Sequence, residues 1–187
     1  DFTADVLAIG PGLGRSGDPG LAALLAAALA FSGPLVVDAD GLNALADRAD
    51  VAREGDWVLT PHPGEAARLL GVDTASVQAD RFEAARALAA RYRAVVVLKG
   101  WGSLIASPDG AVWVCPHGTP AMASAGMGDV LTGVIASLWG QGMNALDAAR
   151  CAVFFHACAG ELAAAGRRSI TADQLAACLP DVMATRS

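Results

Sequence analysis

The sequence predicts an α/β protein: a mostly parallel sheet with one hairpin, covered by helices on both faces. Three observations predict it. Short apolar runs alternate with helical patterns through short connections, as in layered α/β folds. One run, Ala94-Val-Val-Val-Leu98, is apolar throughout, as a central parallel strand buried on both faces requires. The chain has 187 residues, of which 54% are hydrophobic and 17% charged, with mean hydropathy +0.43. That is about one domain in length and far too apolar for a disordered chain. Aromatic residues are only 5%, so the core is built from small and aliphatic side chains with closely packed helices.

The elements follow in order. Val6 to Ile9 is a strand that ends in the glycine turn Gly10-Pro11-Gly12. Asp18 and Pro19 open a helix as N-cap and first residue, and it runs to about Phe31 before Ser32-Gly33-Pro34. Leu35 to Val37 is a second strand, and a short helix from about Leu42 to Asp47 follows the loop Asp38 to Asn43. Trp57 to Leu59 is a third strand, ending at Thr60-Pro61-His62-Pro63-Gly64. A helix from Glu65 to Leu70 stops at Gly71, and Asp73 and Thr74 can cap a longer one over about Ser76 to Tyr92. Phe82, Ala85, Leu88 and Ala89 recur at helical spacing within it. After Ala94 to Leu98, the runs Ser103 to Ala106 and Ala111 to Val114 flank the turn Ser107 to Gly110, a hairpin. The last third reads as helices at about Gly128 to Trp139, Ala145 to Ala165 and Ala172 to Leu179, with Thr171 and Asp173 suited to the last start. No repeat, linker or low-complexity stretch interrupts them, so residues 1–187 read as one domain.

Charge and composition exclude some functions. The net charge is −6 and the isoelectric point about 4.9, which argues against nucleic acid or an anionic membrane surface as partner. The longest apolar run, Leu21 to Phe31, is eleven residues, where a membrane-spanning helix needs about 20. The opening residues carry no signal-peptide pattern, so a soluble, cytoplasmic chain is expected. The four cysteines, Cys115, Cys151, Cys158 and Cys178, form no CxxC pair. Cys151, His156 and Cys158 fall in one helical stretch, where buried thiols are expected rather than a zinc site. No ligand cluster in the sequence identifies a dedicated metal site. His117 and His156 read as structural.

In sheets of this kind, ligands bind beyond the carboxyl ends of the strands. The loops there carry Gly10 to Gly14, Asp38 to Asn43, Thr60 to Gly64, and Lys99-Gly100. The most informative stretch is Gly126-Met127-Gly128-Asp129, where a helix begins. Free backbone N–H groups and the positive end of the helix dipole converge at such a point and form an anion hole. Two glycines let the backbone approach a phosphate closely. A carboxylate in the first turn, Asp129, is repelled by phosphate unless it has a task, and taking a proton from an attacking hydroxyl is one. No Lys-Ser/Thr pair follows, so this is not a Walker A loop.

Five segments then occur in order: GPGLG (10–14), VVDADGLNAL (36–45), LTPHPGEAARLLG (59–71), VVLKG (96–100) and ASAGMGDVLTG (123–133). Together they resemble the ribokinase-like NAD(P)H-hydrate dehydratase family, the carboxy-terminal half of many bifunctional nicotinamide nucleotide repair proteins. The resemblance runs from Val6 to about Pro180. It implies a ribokinase-like three-layer αβα fold and nucleotide-dependent dehydration of hydrated NADH or NADPH. ADP or ATP, with Mg²⁺ carried by the nucleotide, phosphorylates the ring hydroxyl; phosphate then leaves and the reduced ring is restored. By resemblance, Asp129 is the base, and Gly126, Met127 and Gly128 supply donors to the transferred phosphoryl group. Lys99, Gly100, Trp101, Gly102 and Ser103 match the nucleotide-binding segment. Gly12 and His62 match hydrate-binding positions. For Asp38, Asp40, Asn43 and Glu65, a role in the site and a role in organising a turn or helix start stay equally open.

The family also implies a homo-oligomer and an epimerase domain in the full-length protein. Two departures stand out. Thr119 replaces the Asn of a common Gly-Asn-Pro turn, and the family's strands and helix ahead of GPGLG are expected to be missing. The competing readings are a small-molecule kinase on the same plan and a nucleotide-binding fragment without turnover.

Overall fold

A computed structural model of the chain describes residues 4–14, 18–48, 51, 53 and 56–185. Six strands form one sheet in the order of the chain: β1 (Leu7–Ile9), β2 (Leu35–Val37), β3 (Trp57–Leu59), β4 (Val95–Leu98), β5 (Leu104–Ala106) and β6 (Val112–Val114). β1 to β4 are parallel, and β4, β5 and β6 pair antiparallel, with Val97 opposite Ile105 and Ile105 opposite Trp113. The predicted hairpin and mixed sheet are both present.

Eight α-helices accompany the strands among the described residues: α1 (Pro19–Ala30), α2 (Ala39–Ala46), α3 (Pro63–Leu70), α4 (Thr74–Ala79), α5 (Arg81–Tyr92), α6 (Met127–Gly140), α7 (Ala145–Ala163) and α8 (Ala172–Thr185). Each parallel step moves the same way across the sheet. The right-handed crossover rule therefore places every connecting helix on one face. Side chains alternate along each strand. Val37, Leu59, Val96 and Leu98 point into a core with α1 to α5. Val36, Val58, Val97 and Ile105 point the other way, against α6 and α7. A third cluster around Met127, Ile170, Leu175 and Val182 joins α6, α7 and α8.

Several boundaries differ from the sequence expectation, each for a local reason. α2 begins at Ala39 with Asp38 as N-cap, so Asp40 and Asn43 are helical rather than in a loop. α3 begins at Pro63, because His62 caps it: its Nδ1 accepts from the backbone N–H of Gly64 and Glu65, and Glu65 Oε2 accepts from His62 N–H in return. The expected helix 76–92 is two, α4 and α5, broken at Asp80, whose φ of −142° and ψ of 85° are not helical. There Asp80 caps α5 by accepting from Glu83 N–H. α7 ends at Ala163 rather than Ala165. α8 passes through Pro180 to Thr185 instead of stopping at Leu179. Pro180 is exposed while Val182 beyond it is buried, so packing of the last turn outweighs the lost backbone bond. Among the described residues, no helix is long and apolar enough to cross a membrane.

Candidate active site

The loops at the carboxyl ends of β1, β2, β3 and β4 meet the start of α6. Gly10 allows the closest approach. Its φ is +141°, and a Cβ there would lie 1.7 Å from the Asp38 carbonyl oxygen, so the first loop packs directly on the second. Asp38 is 1% exposed and binds two partners. Its Oδ1 is 2.6 Å from Lys99 Nζ, at the end of β4, and its Oδ2 accepts from the Thr132 hydroxyl of α6 at 2.9 Å. Lys99 also lies 3.8 Å from Glu65 Oε2. One ammonium thus faces two buried carboxylates, and β2, β4, α3 and α6 are tied at a single charge cluster. Gly128 packs against it: a Cβ there would be 3.1 Å from Lys99 Nζ and 3.3 Å from Asp38 Oδ2.

Beside the cluster opens a cavity of about 510 Å³. Lys99, Gly100, Trp101 and Ser103 from the end of β4 share its wall with Met127 and Gly128 at the start of α6. The N-cap of α6 is Gly126, with φ +83° and no side-chain capping bond, so its first N–H groups are not satisfied by a side-chain cap. An ammonium next to a helix start is a site for a phosphate-bearing ligand. Trp101 is 85% exposed at the rim. Asp129 lies in the first turn of α6 and is exposed.

Two further residues support the cavity, and neither is marked by a local sequence pattern. Arg81 at the start of α5 donates to the carbonyls of Trp101 at 2.6 Å and Leu98 at 3.2 Å, fixing the segment after β4. Partial burial lowers its pKa below the usual guanidinium value. His156 of α7 lies in the cavity wall, and its Nε2–H donates to the Met127 carbonyl at 2.9 Å. Burial pushes its pKa down to about 4, the Met127 bond opposes that shift, and the Lys99 charge adds to it. His156 is therefore neutral at pH 7 and holds the first residue of α6. Thr132, one turn after Asp129, falls inside the ASAGMGDVLTG segment; only the fold shows that it reaches Asp38.

The remaining residues singled out in the sequence lie around this center. Glu65 joins through Lys99, and His62, exposed, stands on Glu65 with its Nε2 3.5 Å from Oε1. Asp40 turns to the first loop, where its Oδ2 accepts from Gly14 N–H at 3.0 Å. Gly12, in that loop, has φ +71° and is exposed. Asn43 lies half-buried on α2 and is not part of the cavity wall. Gly102, φ +64°, and Gly126 neighbor wall residues without being among them. Thr119 caps a 3-10 turn at Pro120–Met122 by accepting from Ala121 N–H at 3.3 Å, and it too lines the cavity.

The family model for NAD(P)H-hydrate dehydratase matches residues 2–181. The chain belongs to that family. A bifunctional NAD(P)H-hydrate repair enzyme of Moorella thermoacetica is 50% identical over 184 residues, covering 96% of this chain and 34% of the relative. The chain thus spans about a third of the length of such bifunctional relatives. Among solved structures, the ADP/ATP-dependent NAD(P)H-hydrate dehydratase of Bacillus subtilis, co-crystallized with ATP and Mg²⁺ and soaked with CoA, superposes with a TM-score of 0.89 at 36% identity, covering 99% of this chain and 67% of that one. A ribokinase-like superfamily protein of Enterococcus faecalis superposes at 0.86 with 26% identity, over 97% of this chain and 63% of the other. The mixed sheet between two helical layers is the ribokinase-like plan within the dehydratase family.

Proposed function

We propose that this chain carries the dehydratase activity of its family: nucleotide-dependent removal of water from the (S)-hydrate of NADH or NADPH. The observation that carries the reading is that Lys99, Gly100, Trp101 and Ser103 line one cavity with Met127 and Gly128, with Asp129 next in the chain. Hydroxide leaves poorly, so the hydroxyl is first converted to a phosphate ester. Asp129 takes the hydroxyl proton as the hydroxyl oxygen attacks the terminal phosphorus of ADP or ATP. The bond to the nucleotide breaks, and AMP leaves when ADP is the donor. The ring C–O bond then breaks, phosphate departs with the electron pair, and the neighboring ring carbon releases a proton to restore the double bond. The N–H groups at Gly126 to Gly128 stabilize the charge on the phosphoryl oxygens, and Lys99 adds a positive charge beside them. Gly100, Trp101, Gly102 and Ser103 border the nucleotide. Gly12, His62, Glu65, Asp40 and Asn43 form the side toward the hydrate.

Mg²⁺ accompanies the nucleotide, where it neutralizes phosphate charge. Asp38 is engaged by Lys99 and Thr132, and Glu65 by Lys99 and the backbone of His62, so neither is offered to the ion. The wider reading is one ribokinase-like domain in a cytoplasmic homo-oligomer, joined to an epimerase domain in the full-length protein. Exposed Leu24 and Phe82 support self-association, which light scattering tests.

The experiment supplies hydrated NADH with ADP or ATP and follows recovery of the reduced-ring absorbance. Recovery that falls at least about a hundredfold in Asp129→Asn, with nucleotide still bound, supports the reading. No recovery with either nucleotide in a folded sample overturns it. A stable phosphorylated product would point to a kinase, and nucleotide binding without any product to a binding module.

A further inference from the structure

A second set of groups gathers at the edge of the same cavity, behind its wall residue His117. His117 lies in the segment after β6 and lines the cavity with Gly118. Cys158 and Glu161 belong to α7, three residues apart and so on one helix face. One donor atom from each of His117, Cys158 and Glu161 lies within 4.8 Å of the other two. Spacing along the chain points instead to Cys151, His156 and Cys158, but His156 is engaged with Met127. The ligand that completes the group arrives from the sheet side.

We propose that His117, Cys158 and Glu161 form a site for a borderline-soft divalent cation, Zn²⁺ by preference. An imidazole nitrogen, a thiolate and a carboxylate oxygen are the donor types that Zn²⁺ accepts. Three protein ligands leave a fourth position for water or for a donor group in the cavity. Zn–N and Zn–O bonds of about 2.0 to 2.1 Å in a tetrahedron place the nitrogen and oxygen about 3.3 Å apart. His117 Nδ1 and Glu161 Oε2 are 3.3 Å apart. A thiolate sulfur about 2.3 Å from the ion would stand about 3.5 Å from each, so a sulfur at the 4.8 Å limit closes the site by a movement on the order of 1 to 2 Å. The outer contacts are also suited to ligation. Gly118 N–H donates to Glu161 Oε1 at 2.8 Å, which leaves Oε2 turned toward His117. Phe154 packs edge-on against the His117 ring, with centroids 5.3 Å apart. Such contacts orient ligands before a metal arrives. On binding, the Cys158 S–H bond breaks, its proton goes to solvent, and the sulfur electron pair forms the bond to the ion. One thiolate and one carboxylate then balance the charge of the cation.

The test uses the full chain stripped of metal by chelation, with Co²⁺ as a spectroscopic probe and Zn²⁺ as competitor. One equivalent of Co²⁺ gives a near-ultraviolet thiolate charge-transfer band, and one equivalent of Zn²⁺ abolishes it. Cys158→Ala removes the band while the other three cysteines remain. Glu161→Gln keeps an acceptor for Gly118 N–H but loses the anionic ligand, and His117→Ala loses the nitrogen; each weakens Zn²⁺ affinity about tenfold or more, with helix content unchanged by circular dichroism. Absence of the thiolate band, or Zn²⁺ affinity unaltered in His117→Ala and Glu161→Gln, overturns the proposal. These readouts need no dehydratase activity, so they stand or fall separately from the proposed function.

Discussion

Replacing Lys99 by methionine isolates the charge cluster beneath the cavity. Asp38 is 1% exposed, and its Oδ1 is 2.6 Å from Lys99 Nζ. Removing the ammonium leaves that carboxylate with the Thr132 hydroxyl as its side-chain donor. Breaking a buried pair by deleting one partner costs about 3 to 5 kcal/mol, because the surviving charge stays desolvated. Lys99 keeps a side-chain exposure of 19%, which admits some water and places the expected loss near the lower end, about 3 kcal/mol. For a chain of this length that lowers Tm by roughly 6 to 12 °C. The opposite deletion, Asp38→Asn, is milder, about 1 to 2 kcal/mol, because Lys99 retains Glu65 at 3.8 Å and partial solvent contact. The double variant recovers most of the Lys99→Met loss, since the Asp38 charge is gone and the remaining carboxylate, Glu65, keeps the His62 N–H although it loses the ammonium. Urea denaturation followed by tryptophan fluorescence reads all three. A Lys99→Met loss below about 0.5 kcal/mol, or a double variant as unstable as the two single losses added together, would refute this electrostatic account.

Three further outcomes follow from neighboring features. His156 takes its proton near pH 4 when folded, against 6.5 for the unconstrained ring, so the unfolded chain protonates first as pH falls. Stability is undiminished above pH 6.5 and declines below it by up to about 1.4 kcal/mol per unit, reaching at most about 3 kcal/mol near pH 4; His156→Gln should flatten that slope in denaturation curves, and an unchanged slope would exonerate the histidine. Gly128→Ala puts a Cβ 3.1 Å from Lys99 Nζ and should weaken ADP binding about tenfold by calorimetry at nearly unchanged stability, whereas parental affinity would show that the ammonium yields freely. Pro180→Ala restores a backbone donor inside α8 and should raise stability by about 1 to 3 kcal/mol, an expectation that a fall in Tm would contradict.

Features set by neighbors in sequence were legible; features set by distant partners were not. The glycines and Asp129 at the start of α6, the cap of α1 and the hairpin all depend on residues a few positions apart. The break at Asp80 is also local, but its signal competes with the continuous helical spacing of Phe82 to Ala89. The passage of α8 through Pro180 depends on burial of Val182, which is a tertiary fact. Asp38 and Lys99 are 61 positions apart, and Asp38 and Thr132 are 94 apart. A sequence shows two acids and a lysine there, and no rule of spacing says which acid is buried. For Glu65 the helix-start role is plain: with His62 it makes a capping box, and that box presents Glu65 to Lys99.

The strand order also constrains how the molecule comes into being. Because β1 to β4 step one way, everything up to α5 can cover only one side of the sheet. The other side, carrying Val36, Val58 and Val97, stays uncovered until α6 and α7 arrive from the last third of the chain. Among the described residues, no helix before α6 packs on that valine surface. Lys99 follows β4, whereas Gly128 and His156 belong to α6 and α7. The cavity is therefore a product of both layers: its wall needs Lys99 from the first and Gly128 and His156 from the second.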